Sequence, residues 1–383
     1  MIHFHRGCHT YELISLLSYV GECPVTSLYL LGNERVYKSL IQKLTATQMV
    51  RNDATGEEIE CRVLTITGKG AQKTIRLYKS ALRILDWIHP EAYGYYMKSF
   101  WNHKFPGDAS HRERNHRVAE SAVMCMRAGL MTVPYELPQL QNRGIKHIIP
   151  VEASFYLAKD IKRVGESEMN KTMFTRMTGA VFSQGGCYAV YNTRSSVMKW
   201  NGMGEFKALH SLIEVARMNA GVAKLDSAIL IGKDAVIAEK TLQETERNRR
   251  LELRFDAIYQ HIHYIEMSEH GIRQLRLLLI KDWKRKILEL LFEDEELAGE
   301  QAVFEYDAFV EGCYVFIFFD GDIARLMRFR DAIGDMAEQY EVLCFPHQMS
   351  LVRSYLLDAV RYKTIDMELI EQGLMQSEGV TDG

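Results

Sequence analysis

The chain has 383 residues, of which 47% are hydrophobic and 25% are charged, and its formal net charge is −3 at pH 7. At roughly 150 residues per domain, this length predicts two or three domains with ordinary buried cores. The longest purely apolar run that we find is Cys313–Phe319. A membrane-spanning helix needs about 20 apolar residues, so we expect no such span. The N-terminus lacks an apolar signal core, and we expect a cytoplasmic protein.

The cysteine count and the charge distribution narrow the class of protein further. There are seven cysteines, an odd number, and no CxxC motif occurs, which argues against a disulfide framework or a zinc ribbon. Residues 1–80 hold ten Lys/Arg and seven Asp/Glu, a net charge of +3, so the rest of the chain carries −6. A modestly basic N-terminal module on an acidic body permits nucleic-acid binding by the first part.

The first eighty residues predict a winged helix-turn-helix domain. Apolar residues at helical spacing indicate one helix that ends near Gly21, and a second short helix that follows Pro24. A third helix follows Asn33, with Val36, Leu40 and Leu44 on its apolar face. Two strand-like runs, 49–52 and 59–66, flank a glycine-containing turn and predict a β-hairpin.

The outer face of the third helix and the segment after it carry side chains suited to double-stranded DNA. A recognition helix docks its apolar face on its own domain and turns polar side chains toward base edges and phosphates. The predicted DNA-binding residues are Arg35, Lys38, Ser39, Gln42, Lys43, Arg51, Arg62, Lys69 and Lys73. Two alternatives stay open: an ordinary solvated helix face, and a winged helix that binds another protein.

Residues 81–175 predict a helical linker region. Its clearest helix begins after Ser110 and ends at Gly129. Donors and cations crowd the start of that helix: His111, Arg112, Arg114, Asn115, His116 and Arg117. Such a cluster suits phosphate, and it equally suits a solvated helix end or an ion network.

Within residues 10–130, the winged helix, the spacer and a helix of the form His-x-x-x-x-His/Asn-x-x-Ala, here His111, His116 and Ala119, resemble the replication-relaxation family. These are winged-helix proteins of bacterial mobile elements, related to a class of mobilisation relaxases. At the apolar positions of the family's helix this chain has Arg112, Glu113 and Arg114. The resemblance implies a role in replication, transfer or regulation of a mobile element, and it assigns no catalytic residue here.

Residues 176–383 predict an α/β domain with a mostly parallel sheet. A hairpin around Gly185–Gly186 precedes apolar strands that alternate with helices, which is typical of a parallel sheet covered on both faces. A degenerate restriction-nuclease-like fold is one form of this prediction. Its ExK element would be Glu205–Lys207, although that tripeptide falls where a helix is expected to start.

Asp320 and Asp322 follow the most apolar strand and are the candidate catalytic residues. Ligands in open α/β sheets bind at the carboxyl ends of strands, and paired carboxylates suit Mg²⁺ and phosphoryl chemistry. Glu305 and Glu311 are the nearest candidates for a third carboxylate. The alternative is that Asp322 caps the following helix and Asp320 belongs to the turn.

These observations favour a DNA-binding protein whose α/β body serves homo-oligomerisation or docking of a protein partner. A metal-dependent nuclease or relaxase and a protein–protein adaptor are the alternatives. We expect no cofactor and no metal, with Mg²⁺ belonging to the nuclease alternative alone, and no membrane partner.

Overall fold

A computed structural model describes residues 4–52, 55–105, 108–140, 152–162, 176–198, 200, 203–220, 222, 225–250, 254–298, 304–333, 339–357 and 360–380. The protein is mixed α/β and divides into two compact units. The first comprises Met1–Gln139 with Ser154–Asp160, and the second comprises Leu140–Ala153 with Ile161–Gly383. Within the described residues, no helix combines the length and apolar character needed to cross a membrane.

The first unit begins with helix α1, whose stripe of Leu13, Leu16, Leu17 and Val20 is buried as its spacing predicts. The helices of this unit are α1 (His9–Val20), α2 (Glu34–Thr45), α3 (Ala81–Ile88), α4 (Pro90–Ser99) and α5 (Ala109–Arg127), and the short α6 (Ala158–Ile161) has its first three residues in this unit. The strands are β1 (Glu22–Pro24), β2 (Gln48–Arg51), β3 (Glu58–Cys61), β4 (Leu64–Thr67), β5 (Thr74–Leu77) and β6 (Ser154–Leu157). The predicted second helix is a 3-10 helix, Val25–Leu31.

Two separate antiparallel arrangements follow α2. Strands β2 and β3 form the predicted hairpin, with Gln48 opposite Cys61. The second strand-like run is not continuous, because it breaks after Cys61, and its later part, β4, pairs with β5 instead. Strand β1 pairs with the other side of β5, so the three strands have the order β1–β5–β4. The expectation of one hairpin over 49–66 was therefore incomplete.

The predicted domain boundary at residue 80 does not coincide with the division into units. Helices α3, α4 and α5 belong to the first unit. Helix α5 is buried along one side by Ala119, Ala122 and Val123, so this part of the predicted linker region is packed structure.

The second unit contains two groups of mainly parallel strands in place of the single sheet that we predicted. Its strands are β7 (Met177–Ser183), β8 (Gly186–Arg194), β9 (Ser227–Gly232), β10 (His261–Glu266), β11 (Ala308–Val310), β12 (Cys313–Ile317), β13 (Tyr340–Cys344) and β14 (Arg361–Thr364). Strands β8, β9 and β10 are parallel, with β7 antiparallel beside β8. Strands β12, β13 and β14 are parallel, with β11 antiparallel beside β12.

Helices connect the parallel strands within each group, as the alternating pattern predicts: α7 (Met203–Val215) and α8 (Ala235–Arg247) in the first group, and α11 (Ile323–Ile333) and α12 (Met349–Leu356) in the second. Helices α9 (Glu269–Leu279) and α10 (Trp283–Leu291) lie between the two groups in the chain, and α13 (Met367–Val380) follows the last strand. The two groups meet where Asp322 forms an isolated antiparallel bridge with His263 of β10. The carboxyl end of β12 therefore lies beside the amino end of β10.

Candidate functional site

Helix α2 is capped at its N-terminus by Asn33, whose side-chain oxygen accepts hydrogen bonds from the backbone N–H groups of Arg35 and Val36. Its buried face consists of Tyr37, Ile41 and Leu44. The expected apolar face was wrong at Val36, which is 43% exposed. Tyr37 takes its place.

Tyr37 is buried because its ring and its hydroxyl both find partners on α1. The ring lies against that of His9, with centroids 5.1 Å apart, and the hydroxyl donates to Glu12 at 3.4 Å. Burial, with the nearby Glu12 charge, raises the pKa of Tyr37 to about 12. An amphipathic side chain can thus be a better anchor than the smaller apolar residue beside it.

The opposite face of α2 is polar and exposed. Each residue turns the helix by about 100°, so Arg35, Ser39 and Gln42 lie near the middle of the outward face, with Lys38 and Lys43 on its two sides. All five side chains are exposed. The structure therefore brings together the five helical residues among the predicted DNA-binding set.

The cations on this face differ in how far they are neutralised. Lys38 Nζ lies 2.8 Å from Glu34 Oε1, in an exposed ion pair, which is weak and easily exchanged. Within the described part of the chain, no carboxylate pairs with the side chains of Arg35 or Lys43. The outward face therefore keeps positive charge that no described carboxylate neutralises.

The cations predicted on the hairpin are engaged with neighbours. Arg51 Nη1 lies 3.9 Å from Glu58 Oε1 on the paired strand, and the guanidinium of Arg62 lies 5.3 Å from the centre of the Tyr78 ring. By contrast, Lys69 and Lys73 are exposed in the turn that connects β4 and β5. No hydrogen bond or ion pair joins either of those lysine side chains to another described residue.

In the second unit, the turn Asp320–Gly321–Asp322 holds a buried cluster of opposite charges. Asp322 Oδ2 lies 2.7 Å from His261 Nδ1. Its Oδ1 accepts hydrogen bonds from the backbone N–H groups of Ile262, Ala324 and Arg325. The last two open helix α11, so Asp322 caps that helix and also attaches it to β10.

The electrostatics of the two aspartates differ. Burial acts to raise the pKa of both carboxyls. For Asp322, the hydrogen bond with His261 and the charges of both histidines outweigh this effect, and the pKa lies below its usual value. For Asp320, burial dominates and the pKa is raised, despite His263 Nδ1 at 3.6 Å from its Oδ2. His261 and His263 are two residues apart on one strand, so the sequence already placed them on the same face. It did not show that they contact Asp322 and Asp320.

Arg325 extends the cluster inward. Its Nη2 donates to Asp307 Oδ1 at 2.7 Å and its Nε to Glu305 Oε2 at 2.9 Å. Lys284 Nζ also reaches Asp307, at 2.9 Å. Sequence reasoning missed Asp307 altogether, because a lone Asp between apolar residues has no distinctive spacing.

These contacts bear on the metal-dependent nuclease alternative. A carboxylate offers about four acceptor positions, two on each oxygen. Asp322 has three hydrogen bonds at Oδ1 and the His261 contact at Oδ2, so Oδ1 has no position left for a metal ion. Glu305 is committed to Arg325 and Arg328, and Glu311 is exposed. Among the described residues, no three His, Cys, Asp or Glu side chains are placed to hold a metal ion. The arrangement favours the capping interpretation, and the nuclease alternative stays a prediction.

The ExK element is not assembled either. Glu205 is buried in the first turn of α7 and lies 3.7 Å from Arg176, whereas Lys207 is exposed. Two residues apart on a helix, the side chains diverge by about 200°. Comparison with known proteins adds no assignment, since no family model, no curated protein and no solved structure matches this chain.

Proposed function

We propose that this protein binds double-stranded DNA through a winged helix-turn-helix in its first unit. The order of elements supports this: helix α1, strand β1, a short 3-10 helix, helix α2, and then the β4–β5 pair, which adds to β1 in one sheet. In that arrangement α2 is the recognition helix and the turn between β4 and β5 is the wing. The β2–β3 hairpin is an addition between them.

The outward face of α2 is the observation that carries the proposal. Tyr37, Ile41 and Leu44 fix the helix on its own unit, and the opposite face presents Arg35 and Lys43 without carboxylate partners among the described residues. A major groove admits a helix that is anchored on one side and polar on the other.

The polar groups divide into two roles by position. Arg35, Ser39 and Gln42, near the middle of the face, would read base edges, since Arg suits guanine and Gln suits adenine. Lys38 and Lys43 on its sides, with Lys69 and Lys73 on the wing, would contact phosphates. Arg51, whose exposed pair with Glu58 is as easily exchanged as that of Lys38, and Arg62, which lies against Tyr78, would add phosphate contacts from the hairpin side.

The wider setting extends this proposal. With a net charge of −3, the whole chain is not attracted to a polyanion, so binding depends on the local cations and on ionic strength. On the resemblance to the replication-relaxation family, we propose a role in replication, transfer or regulation of a bacterial mobile element. The second unit would serve oligomerisation or docking of a protein partner.

The proposal is tested by a salt titration of duplex-DNA affinity, measured by fluorescence anisotropy on a mixed-sequence duplex. Replacing Lys38 and Lys43 together by Ala removes two phosphate contacts. The slope of log K against log salt should become shallower by roughly 1.8, at about 0.9 per contact.

The matched control is Lys240→Ala with Arg285→Ala, which removes the same charge from exposed positions of the second unit. This control should leave the slope unchanged. Equal slopes for the two double variants, or no affinity of the wild-type protein for duplex DNA at low salt, would contradict the proposal.

A further inference from the structure

The wing turn between β4 and β5 has a tight backbone that brings helix α5 against it. Gly68 has φ +83° and Gly70 has φ +56°, both in the left-handed region. A Cβ on Gly68 would collide with the carbonyl of Gln72, and it would lie 3.4 Å from Nη1 of Arg112. The guanidinium of Arg112 is therefore at the base of the turn that carries Lys69 and Lys73.

Arg112 has no acceptor of its own in the part of the chain that the structure describes. Its Nε is buried and has no hydrogen-bond partner there, and no carboxylate pairs with it. The two acids nearest in sequence are engaged elsewhere: Asp108 with His111 at 2.5 Å, and Glu113 with Arg117 at 3.5 Å. Buried polar groups in folded proteins normally have partners, and the half-buried Arg112 side chain keeps hydrogen-bond donors that no described residue uses.

The position of Arg112 on α5 explains why it faces the turn. It lies four residues before His116 and seven before Ala119, both fully buried, so it continues the side of α5 that packs on the unit. Arg114 lies about 200° further round the helix and is exposed. The two arginines therefore share one helical turn and face different surroundings.

We infer that Arg112 is the third cation of a phosphate-binding site formed with Lys69 and Lys73, so that the DNA surface continues from the winged helix onto α5. This inference rests on the proposed function. A guanidinium can donate two parallel hydrogen bonds to one phosphate, while the two lysines act as flexible point charges beside it. The DNA-binding region is then the larger first unit and not the first eighty residues alone.

The test compares Arg112→Ala with Arg114→Ala in the full-length chain, on duplexes of two unrelated sequences. Arg112→Ala should reduce the slope of log K against log salt by about 0.9 and weaken both duplexes by the same factor, since a phosphate contact carries no sequence information. Arg114→Ala should leave the slope unchanged. Arg112→Lys should restore most of the slope, because the charge is kept.

Controls separate binding from support of the fold. Thermal unfolding of each variant shows whether the first unit is intact, and Arg112→Gln replaces Arg112→Ala if the latter does not fold. A slope for Arg112→Ala or Arg112→Gln equal to that of Arg114→Ala overturns the inference. If the Lys38 and Lys43 variant still reduces the slope in that case, the proposed function survives. If wild-type protein does not bind duplex DNA, both fail.

Discussion

Gly321 shows how one residue can fix the position of a charged turn. It has φ +65°, and its carbonyl accepts the Tyr264 N–H at 2.8 Å. A Cβ there would collide with the Gln274 amide and lie 2.7 Å from the Tyr264 carbonyl. Because glycine alone fits, the neighbouring Asp320 and Asp322 are held against β10 by the backbone as well as by their histidines.

Gly321→Ala should therefore lower the free energy of unfolding by more than the strain of a positive φ alone would. Gly312 is the matched control, since it has φ +81° with nothing within 4 Å of a Cβ. We expect about 1 kcal/mol of destabilisation for Gly312→Ala and about 3 kcal/mol for Gly321→Ala, where overpacking adds to it. Urea unfolding measures both, and equal losses would show that the turn relaxes freely.

At the scale of elements, the packing of helix α2 depends on Tyr37, which is buried, and not on the adjacent Val36, which is exposed. Tyr37→Ala should destabilise the first unit by about 3 kcal/mol, because a buried aromatic ring is lost. Val36→Ala should change the free energy of unfolding by less than about 0.5 kcal/mol, since its side chain lies on the surface. Thermal unfolding of the two variants measures the difference, and a larger loss for Val36→Ala would refute the observed orientation of the helix.

The same helix shows what the sequence could and could not predict. The existence of α2, its start at Asn33 and its polar residues followed from local patterns. The buried face was misassigned at Val36, because residue type was weighed without knowing that His9 and Glu12 lie opposite Tyr37. The β2–β3 hairpin was predicted because its turn is local. The pairing of β5 with both β1 and β4 was not, because strands distant in sequence have no local signal for their partner.

Asp322, at the second candidate site, likewise shows that local features can be predicted from the sequence and distant contacts cannot. Its position after an apolar strand, and its capping of α11, were both within reach of the sequence. Its partner His261 lies 61 residues away, and nothing in the spacing joins them. The sequence therefore indicated two alternatives, and the contacts in three dimensions favour the capping role of Asp322.

At the scale of the whole molecule, the buried acids of the second unit predict acid sensitivity. Burial works against the charged forms of Asp322, Asp307 and Glu305, but histidine, arginine and lysine partners outweigh it, and each pKa is lowered. A lowered carboxyl pKa stabilises the fold above the unfolded value of about 4, and this contribution is lost as pH falls through the folded value. The raised pKa of Asp320 acts in the opposite sense.

The free energy of unfolding should thus fall as pH drops below about 4. Asp322→Asn should lower the free energy of unfolding at pH 7 by about 3 kcal/mol. The same variant should show a smaller decrease at low pH, because the carboxyl that takes up the proton is absent. The control is Glu295→Gln, at an exposed position, which should reproduce the wild-type profile. Urea unfolding at a series of pH values provides the measurement. An unchanged pH dependence for Asp322→Asn would show that this carboxylate is not the acid-sensitive group.

The most direct test of the DNA-binding proposal is site-specific photocrosslinking from the middle of the outward face of α2. Six of the seven cysteines are buried, so a Cys8→Ser background removes the remaining accessible thiol, and the serine hydroxyl replaces the Cys8 sulfur that accepts the Tyr11 N–H at the start of α1. Ser39→Cys or Glu295→Cys in this background is labelled with an azidophenacyl group and irradiated with duplex DNA. We predict that Ser39→Cys crosslinks to the duplex at low salt and that Glu295→Cys does not; binding of the duplex without a crosslink from Ser39→Cys would contradict the account.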